Sequence, residues 1–594
     1  MISRFLQSKW AIVALLSVIL LAYLPVVFLG FVWDDFPLIV QNDYIKSFDH
    51  LGAWFATDLW ADVGDEGFRS GFYRPLVLLS FGVDYMLWGE SASGFHLQSL
   101  AWHLLSVWLV YRILAECYSL ETALVAAAVF GLHPAMSEGV VWIAARNDPM
   151  GAALLLGALY SVFPSKCSRI RIALGAVLFF GALCSKESSV VGLLFLPLLD
   201  WGRGTKRESW SVYVAFLLTL IVWALMRWSA DIAVQDLEFG TGFEWVVGEF
   251  DQILSTYVRL FFWPFDLSVG RSVEYLRDPG WLVAVGLLLG GCFTGFLLIC
   301  GRRMAAAGLA VFVLSFAPAI LAIAANAQLG ERYLYLPMFG LVLALGAVVE
   351  RFSRQSVLFV LVILVGFWGV QRRIPDWRSD VSMWEAAVKS DPSPYTWGSL
   401  GHAYNRRAES KSIRGEDGGE EALGESSDVA QAMVYFEKSF SDSLPYLDNC
   451  LVLVRTPMKK WQFKRALRNA RVGRDAGCET HPRHGDRFAG IYGSLLVLNG
   501  HWGDARRYLS ESLRDPDGRG EVLHAVLMIR DWRLSESPDS GLAYCAVRET
   551  QGVDVADFDQ NVYRLLNVVG IRTDGLFSST GSAALLCSQT AEVE

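Results

Sequence analysis

The chain of 594 residues is 53% hydrophobic with a formal net charge of −9, which excludes an ordinary soluble protein and a basic nucleic-acid-binding surface. The average conceals a division: uncharged runs dominate 1–371, whereas 372–594 is dense in charge, so one domain is built for lipid and one for water. The nine cysteines include no CxxC pair and no ligand spacing to histidine, which argues against a structural zinc site.

A spanning helix needs roughly 20 apolar residues. The first run, 10–33, is too long and lacks the small-residue cleavage site of a removed signal peptide, so it reads as a retained anchor. An acidic loop at 34–90 follows, then runs at 91–111, 122–137, 149–165, 172–185, 188–201 and 209–226. The next loop, 227–279, contains an apolar stretch at 252–265 that Arg259 interrupts and Pro264 ends, the pattern of a helix lying in the interface. Runs at 280–301, 304–330, 333–349 and 355–371 bring the expected count to about eleven spans. The fold class is therefore all-α, a polytopic helical bundle with a soluble helical domain after it.

Orientation follows from Lys and Arg. Arg4, Lys9, Arg112, Lys166, Arg169, Arg171, Arg203, Lys206, Arg207, Arg302, Arg303, Arg351 and Arg354 all fall on the side of the N-terminus, which is then cytoplasmic. The 34–90 loop and the C-terminal domain lie outside, where Cys450, Cys478, Cys545 and Cys587 are free to form disulfides. Arg372 and Arg373 oppose the rule.

In the C-terminal domain, Trp397, Leu400, Gly401 and Tyr404 fit W-x2-L-G-x2-Y, the first helix of a tetratricopeptide repeat. Large residues three and four apart share a face, and the glycine lets a partner helix approach. The second helix, marked by Ala432 and Phe436, comes late, after a Glu/Ser/Gly-rich segment at 408–428 that reads as a mobile insertion. Tyr492, Gly493, Leu496, Ala505 and Leu509 form a weaker copy. Such arrays bind peptides along a concave face, which makes the Trp397–Tyr404 region the candidate acceptor surface.

Ionisable residues where membrane meets water are costly and therefore informative. Asp34 and Asp35 follow the first span; Arg74 precedes an amphipathic run; His96 sits at the start of the second span. His133, Glu138, Arg146 and Asp148 flank the end of the third, Lys186 and Glu187 follow the fifth, and Glu331, Arg332 and Tyr335 open the tenth. All are expected near one outer surface. A carboxylate there can take a proton from an attacking hydroxyl. Cations at headgroup level suit a lipid phosphate, and arginine's planar fork matches phosphate oxygens.

The segments FVWDDFPLIVQND, YRPLVLLSFGVDYMLWGE, FGLHPAMSEGVVWIAARNDPMGA, CSKES and ERYLYLP, in that order, resemble the transmembrane-and-tetratricopeptide-repeat O-mannosyltransferases, within the GT-C class of glycosyltransferases. The resemblance implies an inverting transfer of a sugar, mannose or another hexose, from a dolichyl- or undecaprenyl-phosphate donor to a hydroxyl, with protein Ser/Thr favoured. It implies Asp34 or Asp35 as base, and places Arg74, Arg146, Lys186 and Arg332 where a donor phosphate binds. Glu138, Asp148, Glu187, Glu331, His96, His133 and Tyr335 are expected to support them. No cofactor is required; a divalent metal at Asp34–Asp35 is left open. The array of about three degenerate repeats points to a bacterial-type relative in the cytoplasmic membrane, or to an endoplasmic-reticulum protein if eukaryotic. Two other classes compete: a lipid or solute transporter, which would carry ionisable residues at mid-membrane, and an anchored repeat scaffold, for which eleven spans are excessive.

Overall fold

The computed structural model describes residues 6–8, 10–61, 70–230, 232, 250–272, 303–326, 328–413, 427–439 and scattered positions between 467 and 496. They fall into two compact units, Met1–Ser393 and Pro394–Glu594. Among the described residues the elements are helical apart from one antiparallel pairing of Arg271–Ser272 with Gln328–Leu329.

The first unit opens with α1 (Trp10–Tyr23), which continues as a 3-10 segment to Phe28. Its buried residues Ala11, Leu15, Ile19 and Ala22 recur every three to four positions, while Trp10, Val13, Leu21 and Phe28 are exposed. An apolar stripe inside and an apolar face outside mark a helix meant for lipid. After the loop come α2 (Pro75–Trp88), with proline at the start where its missing N–H is harmless, and α3 (Ala92–Ala115). Next are α4 (Leu120–Leu132), the short α5 (Ser137–Val141), α6 (Asn147–Ser161), α7 (Arg169–Ser185), α8 (Gly192–Arg203) and α9 (Ser211–Ser229). The amphipathic α10 (Phe250–Phe262) occupies the stretch expected to lie in the interface. The unit finishes with α11 (Arg303–Asn326), α12 (Tyr335–Val349), α13 (Gln355–Arg373) and α14 (Asp380–Ser390).

The polytopic all-α expectation holds. Six helices among the described residues are long and apolar enough to cross a membrane, or seven if α4 and the segment Pro134–Val141, bent by 55° at His133, form one broken span. The runs expected at 149–165, 172–185 and 188–201 form helices of 15, 17 and 12 residues. At about 1.5 Å per residue, the 12-residue α8 reaches roughly 18 Å of a core about 30 Å thick. The expected span at 280–301 lies outside the described residues.

Close packing fixes the helix that leads to the site. A Cβ on Gly308 of α11 would stand 2.6 Å from the Ala344 amide nitrogen and 2.8 Å from the Gly340 carbonyl of α12. Only glycine allows backbones this near.

In the second unit, α15 (Pro394–Ile413) and α16 (Ser427–Lys438) pack as a hairpin. A Cβ on Gly401 would meet the Phe436 ring at 2.8 Å, Ala432 and Phe436 are fully buried, and Tyr404 stacks on Tyr435 at 5.7 Å. The W-x2-L-G-x2-Y spacing thus does what its chemistry requires. Of the insertion expected at 408–428, residues 408–413 instead continue α15 and 427–428 begin α16; residues 414–426 and most of the weaker copy lie outside the described residues. Arg407 (2.6 Å) and Lys411 (2.9 Å) both pair with Asp428, and the Arg407 hydrogen bonds hold its carboxyl below the usual range. A depressed pKa stabilises the fold above the ordinary carboxylate value, and that contribution is lost as pH falls through the folded value. Hydrogen exchange should therefore show α16 losing protection on acidification, and Asp428→Asn should reproduce that loss at neutral pH. Equal protection in the variant would contradict the pairing.

Candidate active site

The acidic doublet sits in a tight turn. Asp35 N–H donates to the Val32 carbonyl at 2.9 Å, closing a four-residue turn over 32–35, and Val32 N–H donates back to Asp35 Oδ2 at 3.0 Å. Trp33 is at the second position with φ +50°, a left-handed conformation that favours glycine and costs a bulky residue on the order of 1–3 kcal/mol. The two aspartates consequently differ. Asp35 is fully buried; its other oxygen accepts from Ala144 N–H at 2.7 Å, and burial pushes its carboxyl well above the usual range. Asp34, at the tip of the turn, remains half-buried.

Aromatic contacts carry the turn toward a cation. The Trp33 indole stacks on Trp142 with ring centroids 4.6 Å apart and 9° between planes. The Arg332 guanidinium lies over the Trp142 ring, 5.0 Å from its centroid. Arg332 pairs through its guanidinium with Glu138, which also accepts the Arg332 N–H at 3.0 Å; Glu138 is fully enclosed, whereas the Arg332 side chain keeps 20% of its surface open. A buried carboxylate that holds a partly open guanidinium leaves the remaining N–H groups available to an anion.

Two more cations gather nearby. Lys186, extended between α7 and the turn before α8, pairs with Asp148 at the start of α6. Arg74 donates through Nε to Glu187 at 2.9 Å, and Glu187 accepts the Tyr73 N–H at 2.7 Å. With its amide turned to satisfy its neighbours, Asn147 accepts from Arg74 Nη1 at 3.1 Å. Both Arg74 and Arg332 lie close enough to act electrostatically on Lys186, whose ammonium burial pushes down. Arg74, Lys186 and Arg332 thus share one neighbourhood, each anchored by one carboxylate.

The remaining candidates are buried. Arg146, expected at the donor phosphate, is completely enclosed: it pairs with Asp84 at 2.6 Å and donates to Gln98 Oε1, Ser80 Oγ, Ser99 Oγ and the Phe95 carbonyl. With 0% of its side chain exposed it ties α2 to α3. His96 is buried beside the backbone of Gly30 and Val141. His133 bonds the Phe261 carbonyl at 3.0 Å and stacks on Phe261, joining α4 to α10. Tyr335 hydroxyl bonds His103 Nδ1 at 2.7 Å while His103 Nε2 meets the Gly131 carbonyl at 3.0 Å. Since a carbonyl only accepts, Nε2 carries the proton and Tyr335 donates. Glu331 is buried against Arg373 at 3.3 Å. That pair explains why Arg373 ignores the charge rule: it is a buried structural cation.

Sequence reasoning missed Trp33, Trp142, Asn147, Asp84 and Arg373. Trp33 and Trp142 stand inside the quoted motifs, but tryptophan near a span end reads equally well as an interfacial anchor. Among the described residues no three His, Cys, Asp or Glu side chains gather as metal ligands.

Whole-sequence comparison agrees with the motifs. The chain is 23% identical over 447 residues to mouse protein O-mannosyl-transferase TMTC3, covering 66% of this chain and 48% of that protein. It is 23% identical over 479 residues to human protein O-mannosyl-transferase TMTC4, covering 66% of this chain and 63% of that one. A higher identity, 29% over 190 residues, relates it to Drosophila melanogaster protein O-mannosyl-transferase Tmtc1, with coverage of 32% and 22%. The chain thus spans less than two thirds of the length of these relatives. No protein-family model and no solved structure matches it.

Proposed function

We propose that this chain is a membrane-embedded, inverting glycosyltransferase that moves a hexose, mannose by preference, from a polyprenyl-phosphate donor to a Ser/Thr hydroxyl of a protein on the non-cytoplasmic side. The observation that carries the reading is the contact line Trp33–Trp142–Arg332, which ties the turn that holds Asp34 to a phosphate-matching guanidinium. Asp34 takes the hydroxyl proton as the acceptor oxygen attacks the anomeric carbon. The bond from that carbon to the phosphate oxygen breaks, and the lipid phosphate leaves as an anion. Arg332, Arg74 and Lys186 stabilise its growing charge, each pre-oriented by Glu138, Glu187 and Asp148 respectively. Asp35 serves the turn rather than the proton, because both its oxygens are held by backbone N–H groups. Choosing a protein as acceptor rests on the relatives' names and on the helical hairpin, whose Trp397–Tyr404 helix would present a peptide. The multi-pass chain would lie in a bacterial cytoplasmic membrane, or in the endoplasmic-reticulum membrane if eukaryotic. No metal enters the scheme.

The test is the full-length protein in liposomes with undecaprenyl- and dolichyl-phosphate hexoses and a Ser/Thr-rich polypeptide, followed by intact mass spectrometry. A hexose increment on the polypeptide with release of lipid phosphate is expected. Uptake of donor or solute into sealed vesicles without any covalent sugar would replace this reading with the transporter.

A further inference from the structure

Trp33 poses a physical question. A bulky residue holds a left-handed conformation one position before the proposed base, so something must fix it there. Its backbone N–H donates to Asp380 Oδ1 at 2.5 Å, across 347 residues of sequence. Its indole is held on one side by Trp142 and met edge-on by Trp384 at 5.1 Å. Asp380 and Trp384 both belong to α14, beyond the last span, and Asp380 is itself immobilised. It lies in the first turn of α14, directly after the Ser379 N-cap with its reciprocal Ser379–Ser382 hydrogen bonds, and is 9% exposed.

We infer that Asp380 is a positioning residue for the transfer reaction: its carboxylate clamps the Trp33 amide, holds the 32–35 turn in its strained form, and thereby aims Asp34 at the acceptor hydroxyl. The inference rests on the assignment of Asp34 as base. The carboxylates that hold Arg74, Lys186 and Arg332 are Glu187, Asp148 and Glu138, none of them in α14, so loosening the clamp acts on the base far more than on donor binding.

The experiment compares the full-length wild type, Asp380→Ala and Asp380→Asn with polyprenyl-phosphate hexose as variable substrate. Asparagine keeps an Oδ1 acceptor for the Trp33 N–H, whereas alanine has none. For Asp380→Ala, kcat should fall roughly 10- to 100-fold, as expected when a reacting group is displaced by about an ångström. The donor KM should stay within about twofold, because KM tracks ground-state contacts the change does not touch. Asp380→Asn should recover most of the rate, and because it preserves the hydrogen bond it keeps the test open even if the alanine variant does not fold. A wild-type kcat in Asp380→Ala, or an asparagine variant as slow as a folded alanine one, overturns the clamp. An inactive wild type would instead remove the glycosyltransferase reading itself.

Discussion

Asp34→Asn is expected to lower sugar transfer by about 10²- to 10⁴-fold, the usual contribution of a positioned general base, while leaving thermal stability and donor binding as in the wild type. Asparagine has the size of aspartate and cannot accept the hydroxyl proton at neutral pH. Asp35→Asn should behave differently. Its two carboxyl oxygens accept from Val32 N–H and Ala144 N–H, and an amide offers only one acceptor, so its NH2 must face one of those donors. Leaving a buried N–H unsatisfied costs about 1–3 kcal/mol, read as a lower melting temperature. Transfer would fall as well, through a loosened turn. The pair of melting curves therefore separates base from support. An active Asp34→Asn together with a normally stable, inactive Asp35→Asn would reverse the assignment.

The second large effect is on folding. Arg146→Leu leaves Asp84, 1% exposed, as an uncompensated charge inside the first unit, and breaking a buried pair in this way typically costs about 3–5 kcal/mol. Gln98, Ser80 and Ser99 lose their common donor at the same time. Accumulation in the membrane should drop steeply. Removing both charges with Arg146→Leu and Asp84→Leu should recover part of it, since an apolar pair of similar volume often matches a buried ion pair. If Arg146→Leu is instead stable but fails to bind a polyprenyl-phosphate sugar, the arginine contacts donor and the structural account is wrong.

The contrast between Arg146 and Arg332 shows why the sequence marks charged residues near a span end but not their surroundings. Both stand in charged motifs at the end of an apolar run, and both have the guanidinium a phosphate needs. One is consumed by five partners between α2 and α3; the other is held by a single glutamate and keeps part of its surface open.

By itself the sequence determined the division into a lipid-facing and an aqueous part, the all-helical class, the Gly401–Phe436 hairpin contact, and the gathering of charged motifs that includes Arg74, Lys186 and Arg332. These are consequences of composition and local spacing, which act within a few residues along the chain. Tertiary structure alone decided which aspartate of the doublet is held by backbone N–H groups, which arginine is walled in, and which distant residue holds the turn. Those outcomes depend on the direction a side chain takes and on partners brought together by packing, as with Trp33 and Asp380, 347 positions apart.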